Sequence, residues 1–216
     1  MGEPIKERQC CIIAVIGTIP ILCTLPRPAL TCLGAPASGK GTLCKKLTQD
    51  PQFIPIHHVS VGDLLRGMGS SGPDINTHIA QGTVLPGKEI VPVLRDHISN
   101  LPRSTAAPSK YSNIILIDGF PRSMEQEALA REPLALHPGT LFSDLAIYFL
   151  CEKEELKRRY VERRREQDDA ALFEKRYEQH ERECPAVVQL YRERGILVEV
   201  SLLYLQDIDK ADVAIR

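Results

Sequence analysis

The sequence predicts an α/β fold built on a central parallel β-sheet flanked by helices. Two observations carry that expectation. After Arg27, short apolar runs of strand length alternate with longer amphipathic or charged runs of helix length, the order that yields strand–helix–strand units. The first of those apolar runs also leads directly into a glycine-rich turn and a helix-like segment, GAPASGKGTLCKKL, where a helix N-terminus can meet an anion. A chain of 216 residues has room for one ordinary domain with small appendages.

Taken in order, residues 1–27 read as an N-terminal extension. Its apolar stretch, 10–25, is too short for a membrane span and is interrupted by Pro20. A signal-like core, an extra strand and an ill-ordered extension all stay open for it. Strands are expected at Ala29–Leu33, His58–Ser60, Asn113–Ile117, Leu145–Leu150 and Ile196–Val200, each a short run between polar or turn residues. Helices are expected near Gly41–Thr48, Pro73–Ala80, Glu89–Ser99, Ser123–Arg131, Glu152–Arg163, Asp168–Glu183 and Ala186–Arg194. Gly67–Pro73 and Arg103–Lys110 read as surface loops. The stretch Glu152–Glu183 is densely charged with the signs nearly balanced, a composition typical of solvated helices laced with i,i+4 pairs.

Charge and composition narrow the function. Lys and Arg together number 27 against 28 Asp and Glu, so no global basic field draws in a nucleic acid polymer, and an anionic ligand must be met by local clustering. Aromatic residues are 5% and Trp is absent, which argues against stacking platforms for single-stranded bases. Cys10, Cys11, Cys23, Cys32, Cys44, Cys151 and Cys184 form no C-x-x-C pair, which disfavours a cysteine-based zinc site. They read as thiols of a reducing compartment, and a cytoplasmic location is expected, although stretch 10–25 admits a targeting segment.

The chemistry starts in the glycine-rich turn. Gly34, Ala35, Pro36, Ala37, Ser38, Gly39, Lys40, Gly41 and Thr42 fit the phosphate-loop pattern G-x-x-x-x-G-K-[ST], with Gly41 in the last place and Thr42 one residue later. Such a loop turns backbone N–H groups inward around phosphate oxygens. Lys40 can bridge terminal phosphates, and the Thr42 hydroxyl can help hold Mg2+ or a phosphate. After the third strand comes Asp118-Gly119-Phe120-Pro121-Arg122, with Gln126 one helical turn on. A carboxylate just beyond a strand can hold Mg2+ through its waters, the role expected of Asp118. Gln126 carries both a donor and an acceptor for a base edge.

With HVSVGDLLR over residues 58–66 and GTVLPGKEIV over 82–91, these runs come in one order from Leu30 to Val200. That order resembles the adenylate kinase family of nucleoside monophosphate kinases, of the short-lid type. The resemblance implies a P-loop three-layer fold with a small acceptor-binding insertion, about 60–91, and a short lid, about 159–168, within a kinase domain of residues 28–216. It implies acceptor contacts from Ser60, Val61, Arg66, Val84, Leu85, Gly119, Arg122 and Gln126, with Arg66 and Arg122 on the acceptor phosphate. It also implies that Arg159, Arg165 and Arg176 surround the migrating group, with Asp168 as a lid carboxylate. ATP and a nucleoside monophosphate are the implied partners and Mg2+ the implied cofactor. No membrane is expected, and a monomer is implied by analogy.

The implied reaction is direct in-line transfer from ATP to the monophosphate. AMP is favoured because Gln126 suits a purine edge; a UMP/CMP kinase, a catalytically degenerate nucleotide-binding protein, and a kinase for another small metabolite are the alternatives. Departures from the family pattern lie at Val61, where Thr or Ala is usual, at Gln167 in place of a lid aspartate, and at Tyr160 in place of glycine in a lid without any glycine. A Tyr160 that continues the helix would give a stiffer lid.

Overall fold

The computed structural model describes residues 29–49, 56–68, 73–102, 114–131, 134, 143–163 and 169–201. The expected extension 1–27, Arg103–Lys110, most of the loop before Pro73, Asn113, Arg165, Gln167 and Asp168 lie outside the described residues.

Five strands form one sheet: β1 (Ala29–Gly34), β2 (Ile56–Ser60), β3 (Ile114–Asp118), β4 (Leu145–Leu150) and β5 (Leu197–Ser201). Their order across the sheet is β2-β3-β1-β4-β5, and every pairing is parallel. The expected parallel sheet is therefore present, and each strand overlaps its expected range.

Period-two alternation sends successive side chains to opposite faces, and both faces are covered. Leu30 and Cys32 of β1, with Ile114 and Leu116 of β3, pack on Cys44 and Leu47 of α1 (Lys40–Gln49). Ile115 and Ile117 of β3 face the other way, onto Ile90, Val91, Leu94 and Ile98 of α4 (Gly87–Ser99). On that second face Leu33 and Ala146 meet Cys184, Val187, Val188 and Tyr191 of α7 (Ala170–Glu193). Helices on both sides of a buried parallel sheet make three layers.

Chain reversal sets the site. β3 pairs with β1 on one side and β4 pairs with it on the other, so the connections leaving β1 and β3 diverge around a crevice at the carboxyl ends, where ligands of such sheets bind. Register brings the ends level, with Ser60 beside Asp118 and Asp118 beside Cys32.

Two helices differ from expectation. α2 (Val61–Gly67) is an additional helix before α3 (Pro73–Gln81), begun by Ser60, whose hydroxyl accepts from the Asp63 N–H at 3.3 Å; this is an N-cap, which satisfies one otherwise orphaned donor. The two helices expected on either side of Pro185 are one 24-residue helix, α7. Pro185 removes one backbone donor, but it is exposed, so the carbonyl left over can turn to water. The apolar face carrying Cys184, Val187, Val188 and Tyr191 continues unbroken on the sheet. At about 1.5–3 kcal/mol for each large buried side chain, that face outweighs a loss of about 3 kcal/mol. The remaining helices, α5 (Met124–Ala130) and α6 (Lys153–Glu162), fall inside their expected ranges.

Candidate active site

A cleft of about 930 Å³ opens at the carboxyl ends of β1, β2 and β3. Its wall includes Gly34, Pro36, Ala37, Ser38, Gly39, Lys40, Gly41 and Thr42 from the glycine-rich loop, and Asp118, Gly119, Arg122 and Gln126 beyond β3. Ser60, Val61, Arg66, Val84 and Leu85 line it from the α2–α4 side, and Arg159 and Arg176 from α6 and α7. Residues that sequence motifs scattered over more than 140 positions thus share one cavity. Ala35 is the loop residue that stays out of the wall; it packs with Leu156, Tyr160 and Phe173, and only its carbonyl takes part, as an acceptor from Lys40.

The Lys40 ammonium donates to the carbonyls of Gly34 and Ala35, both at 2.8 Å, and to Ser38 Oγ at 3.0 Å. All three of its donors thus fold over the loop it belongs to. Burial pushes its pKa down, against the pull of Asp118, and Arg122 adds to the lowering. The loop's fit to the phosphate-binding pattern breaks at Gly41, and the structure supplies the reason. A Cβ there would lie 2.9 Å from Asp118 Oδ2, which favours glycine at this place; the hydroxyl residue follows at Thr42. Asp118 and Thr42 supply a carboxylate and a hydroxyl to the same wall, a hard-oxygen pair suited to Mg2+, which keeps several waters and takes substrate phosphates as ligands. No group of three or more His, Cys, Asp or Glu fit to hold a metal occurs among the described residues.

On the opposite side, Arg122 Nε donates to the Gly119 carbonyl at 2.8 Å. The cleft leaves its side chain accessible, yet protein walls it in. That burial lowers its pKa, Asp118 opposes the shift, and the charges of Arg176 and Arg66 reinforce it. Repulsion of Arg122 by Arg176 and Arg66, and of Lys40 by Arg122, marks a site suited to anions. Arg66, half-exposed on α2, pairs with Asp63 one turn earlier. Arg159 Nε donates to Glu155 Oε1 at 2.6 Å along α6.

Gln126 is held at both ends. Its oxygen accepts from the Arg122 N–H and its nitrogen donates to the Leu85 carbonyl, both at 2.7 Å. One N–H and one lone pair of the amide remain beyond these two bonds. Beside it, Glu125 accepts from the Gly87 N–H at 3.0 Å and caps α4. Ser60 serves as the α2 cap, and Val61 is buried in the cluster with Leu85 and Phe120.

Asp169, next to the expected lid carboxylate Asp168, caps α7 by accepting from the Leu172 N–H at 2.7 Å. Sequence reasoning gave no functional role to three groups, His58 among them, which reads from the sequence as a strand-packing residue. His58 Nε2 stands 3.8 Å from Asp118 Oδ2; burial opposes charge on the ring, but Asp118 and Cys44 outweigh it and push His58 up to about 9. His180 lines the cleft and is held down to about 4, first by burial, then by Lys40 and Arg122. Arg163, at the end of α6, also faces the cleft. The i,i+4 pair Glu155 and Arg159 was readable from spacing alone.

Comparison with known proteins agrees with this geometry. The family model described as adenylate kinase matches residues 32–196. An adenylate kinase of Hyphomonas neptunium is 27% identical over 179 residues, covering 79% of this chain and 88% of the relative. A UMP-CMP kinase of Prunus armeniaca is 31% identical over 175 residues, covering 78% and 68%. Adenylate kinase isoenzyme 1 of Rattus norvegicus is 30% identical over 173 residues, covering 78% and 83%. With its glycine-rich loop and several arginines lining one cleft of a parallel sheet, and with that match over most of its length, the chain belongs to the adenylate kinase family.

Proposed function

We propose that the protein transfers the terminal phosphoryl group of ATP to a nucleoside monophosphate, giving two diphosphates. The observation that carries the reading is the convergence of Lys40, Arg122 and Arg176 on one cleft, with Arg122 lowering the pKa of Lys40 and Arg176 lowering that of Arg122. Phosphoryl transfer asks a protein for positioning and positive charge more than for a general base. An acceptor phosphate is already an anion, so no base is needed to unmask it.

In this reading the loop Gly34–Thr42 seats the ATP phosphates on its amides, and Lys40 leaves its own carbonyls for the migrating group. Arg66 and Arg122 hold the acceptor phosphate, planar guanidinium groups being matched to it. Arg159, Arg165 and Arg176 offset charge on the group in flight, and Asp168 belongs to the lid. Ser60, Val61, Val84, Leu85, Gly119 and Gln126 border the acceptor nucleoside. Residues about 60–91 form the acceptor segment and residues about 159–168 the lid, both within a kinase domain of residues 28–216; closure of the two excludes water, which would otherwise receive the phosphoryl group. Asp118, through waters, and Thr42 would hold Mg2+, which would supply charge neutralisation at the phosphates.

AMP is the proposed acceptor, supported by the free donor and acceptor of the Gln126 amide and by adenylate kinases among the relatives. A UMP/CMP kinase is the second reading, favoured by the internal bonds that already occupy that amide and by the UMP-CMP kinase relatives. A cytoplasmic location is proposed by analogy with the family. No helix among the described residues is long and apolar enough to cross a membrane. A monomer is proposed by analogy with the family.

A coupled assay for ADP tests the reaction, with AMP, UMP, CMP and GMP offered separately. Turnover with AMP that Lys40→Met and Arg122→Ala abolish is the expected result. Wild-type turnover in either variant would sink the assignment, and a clear preference for UMP or CMP would replace the acceptor.

A further inference from the structure

Where the family resemblance implies a lid glycine, the chain carries Tyr160, and the side chain is fully buried. It stands in the last turn of α6. Its ring packs on Phe173 of α7, with centroids 5.4 Å apart and planes tilted by 59°. Leu156 and Ala35 complete that cluster, so the lid helix rests directly on the glycine-rich loop.

Two arginines of the cleft meet this one ring. The hydroxyl accepts a hydrogen bond from Arg176 Nη1 at 2.7 Å. Arg163 lies over the ring, its Cζ 4.1 Å from the centroid, a separation at which a cation and an aromatic face attract. Arg176 is confined on its other flank as well. A Cβ at Gly82 would come within 2.8 Å of Arg176 Cγ, and Gly82 has φ +72, a conformation that favours glycine. The arginine therefore sits in a slot between the acceptor segment and the lid helix.

An arginine side chain has many rotamers, and ordering it during the reaction counts against transition-state stabilisation. A donor group fixed beforehand acts without that reorganisation. We infer that Tyr160 is a positioning residue: its hydroxyl fixes the Arg176 guanidinium at the cleft, and its ring couples that arginine to the glycine-rich loop, in place of a glycine hinge. The kinetic consequence rests on the kinase reading given above; the positioning itself does not.

Tyr160→Phe keeps the ring, the packing and the contact with Arg163, and removes one oxygen. Its thermal midpoint should stay near wild type while kcat falls roughly ten-fold, with KM for either nucleotide changed less than about two-fold, as for an interaction used mainly in the transition state. Arg176→Lys, which leaves Tyr160 intact, should lower kcat in the same way. Adding Tyr160→Phe to Arg176→Ala should cause no further loss, because coupled residues are not additive. Independently of turnover, the Arg176 Nε–Hε resonance, assigned by its disappearance in Arg176→Lys, should show restricted guanidinium rotation in wild type and averaging in Tyr160→Phe. Unchanged kcat, additive losses, or an unaltered Arg176 resonance would each overturn the inference. If the wild-type protein transfers no phosphate, the kinase reading fails and the resonance alone decides the role of Tyr160.

Discussion

Gln126 Nε2 and the carbonyl of Leu85, 41 residues apart in sequence, are joined at 2.7 Å at the back of the cleft. Because the same side chain also accepts from the Arg122 N–H, one amide ties the segment before α4 to the loop beyond β3. Gln126→Ala should therefore raise KM for both AMP and UMP, by roughly ten-fold for UMP and more for AMP, since a lost bond to a buried carbonyl costs about 1–3 kcal/mol and the remaining amide groups are assigned to the AMP base. Steady-state kinetics with both acceptors checks this. A loss confined to AMP would show the amide acting on the base alone.

Gly41 is a position that admits no Cβ without moving Asp118, 2.9 Å away from where the carbon would stand. Gly41→Ala should leave the thermal midpoint almost unchanged and reduce kcat about ten-fold or more, with a higher Mg2+ concentration needed for half-maximal rate. A magnesium titration of the variant is the measurement.

Beneath α5, Tyr191 donates to Glu127 Oε2 at 2.7 Å, and Arg131 Nε donates to Glu127 Oε1 at 3.3 Å. Glu127 is wholly buried, and that burial raises its pKa against the two donors. Glu127→Ala should lower stability by about 2–4 kcal/mol, because it strands a buried phenol hydroxyl. Urea unfolding measures the loss, and Tyr191→Phe in the same background should add little.

His180 gives a pH dependence whose sign is fixed. Its pKa is about 4 when folded, against an ordinary 6.5, through burial and then the charges of Lys40 and Arg122. Below pH 6.5 the unfolded chain takes up a proton that the folded chain refuses until about pH 4. Stability from this group is complete above 6.5 and is lost as the pH falls through that window, by up to about 3 kcal/mol. His180→Phe should flatten this part of the profile in urea midpoints taken from pH 7 to pH 4.

Much of this architecture was legible because short-range signals agreed with it. The apolar runs at Ala29–Gly34 and Leu145–Leu150 can only be satisfied between two layers, and GAPASGKGT and DGFPR announce their chemistry by composition. Contacts that depend on packing were not readable. Nothing local says that Pro185 lies on the exposed side of a continuous α7, or that the Gln126 amide meets Leu85. The capping role of Ser60 was hidden behind its motif, and the neighbours of Tyr160 become visible only when α6 and α7 are side by side.

The unbroken length of α7 has a mechanical consequence. At about 1.5 Å per residue, its 24 residues make a rod of roughly 36 Å. Arg176 projects near one end, and Tyr191 is bolted to α5 near the other. Packed on the sheet on both sides of Pro185, such a rod moves mainly as a piece, so that a displacement at Arg176 is geared to the helix bearing Gln126.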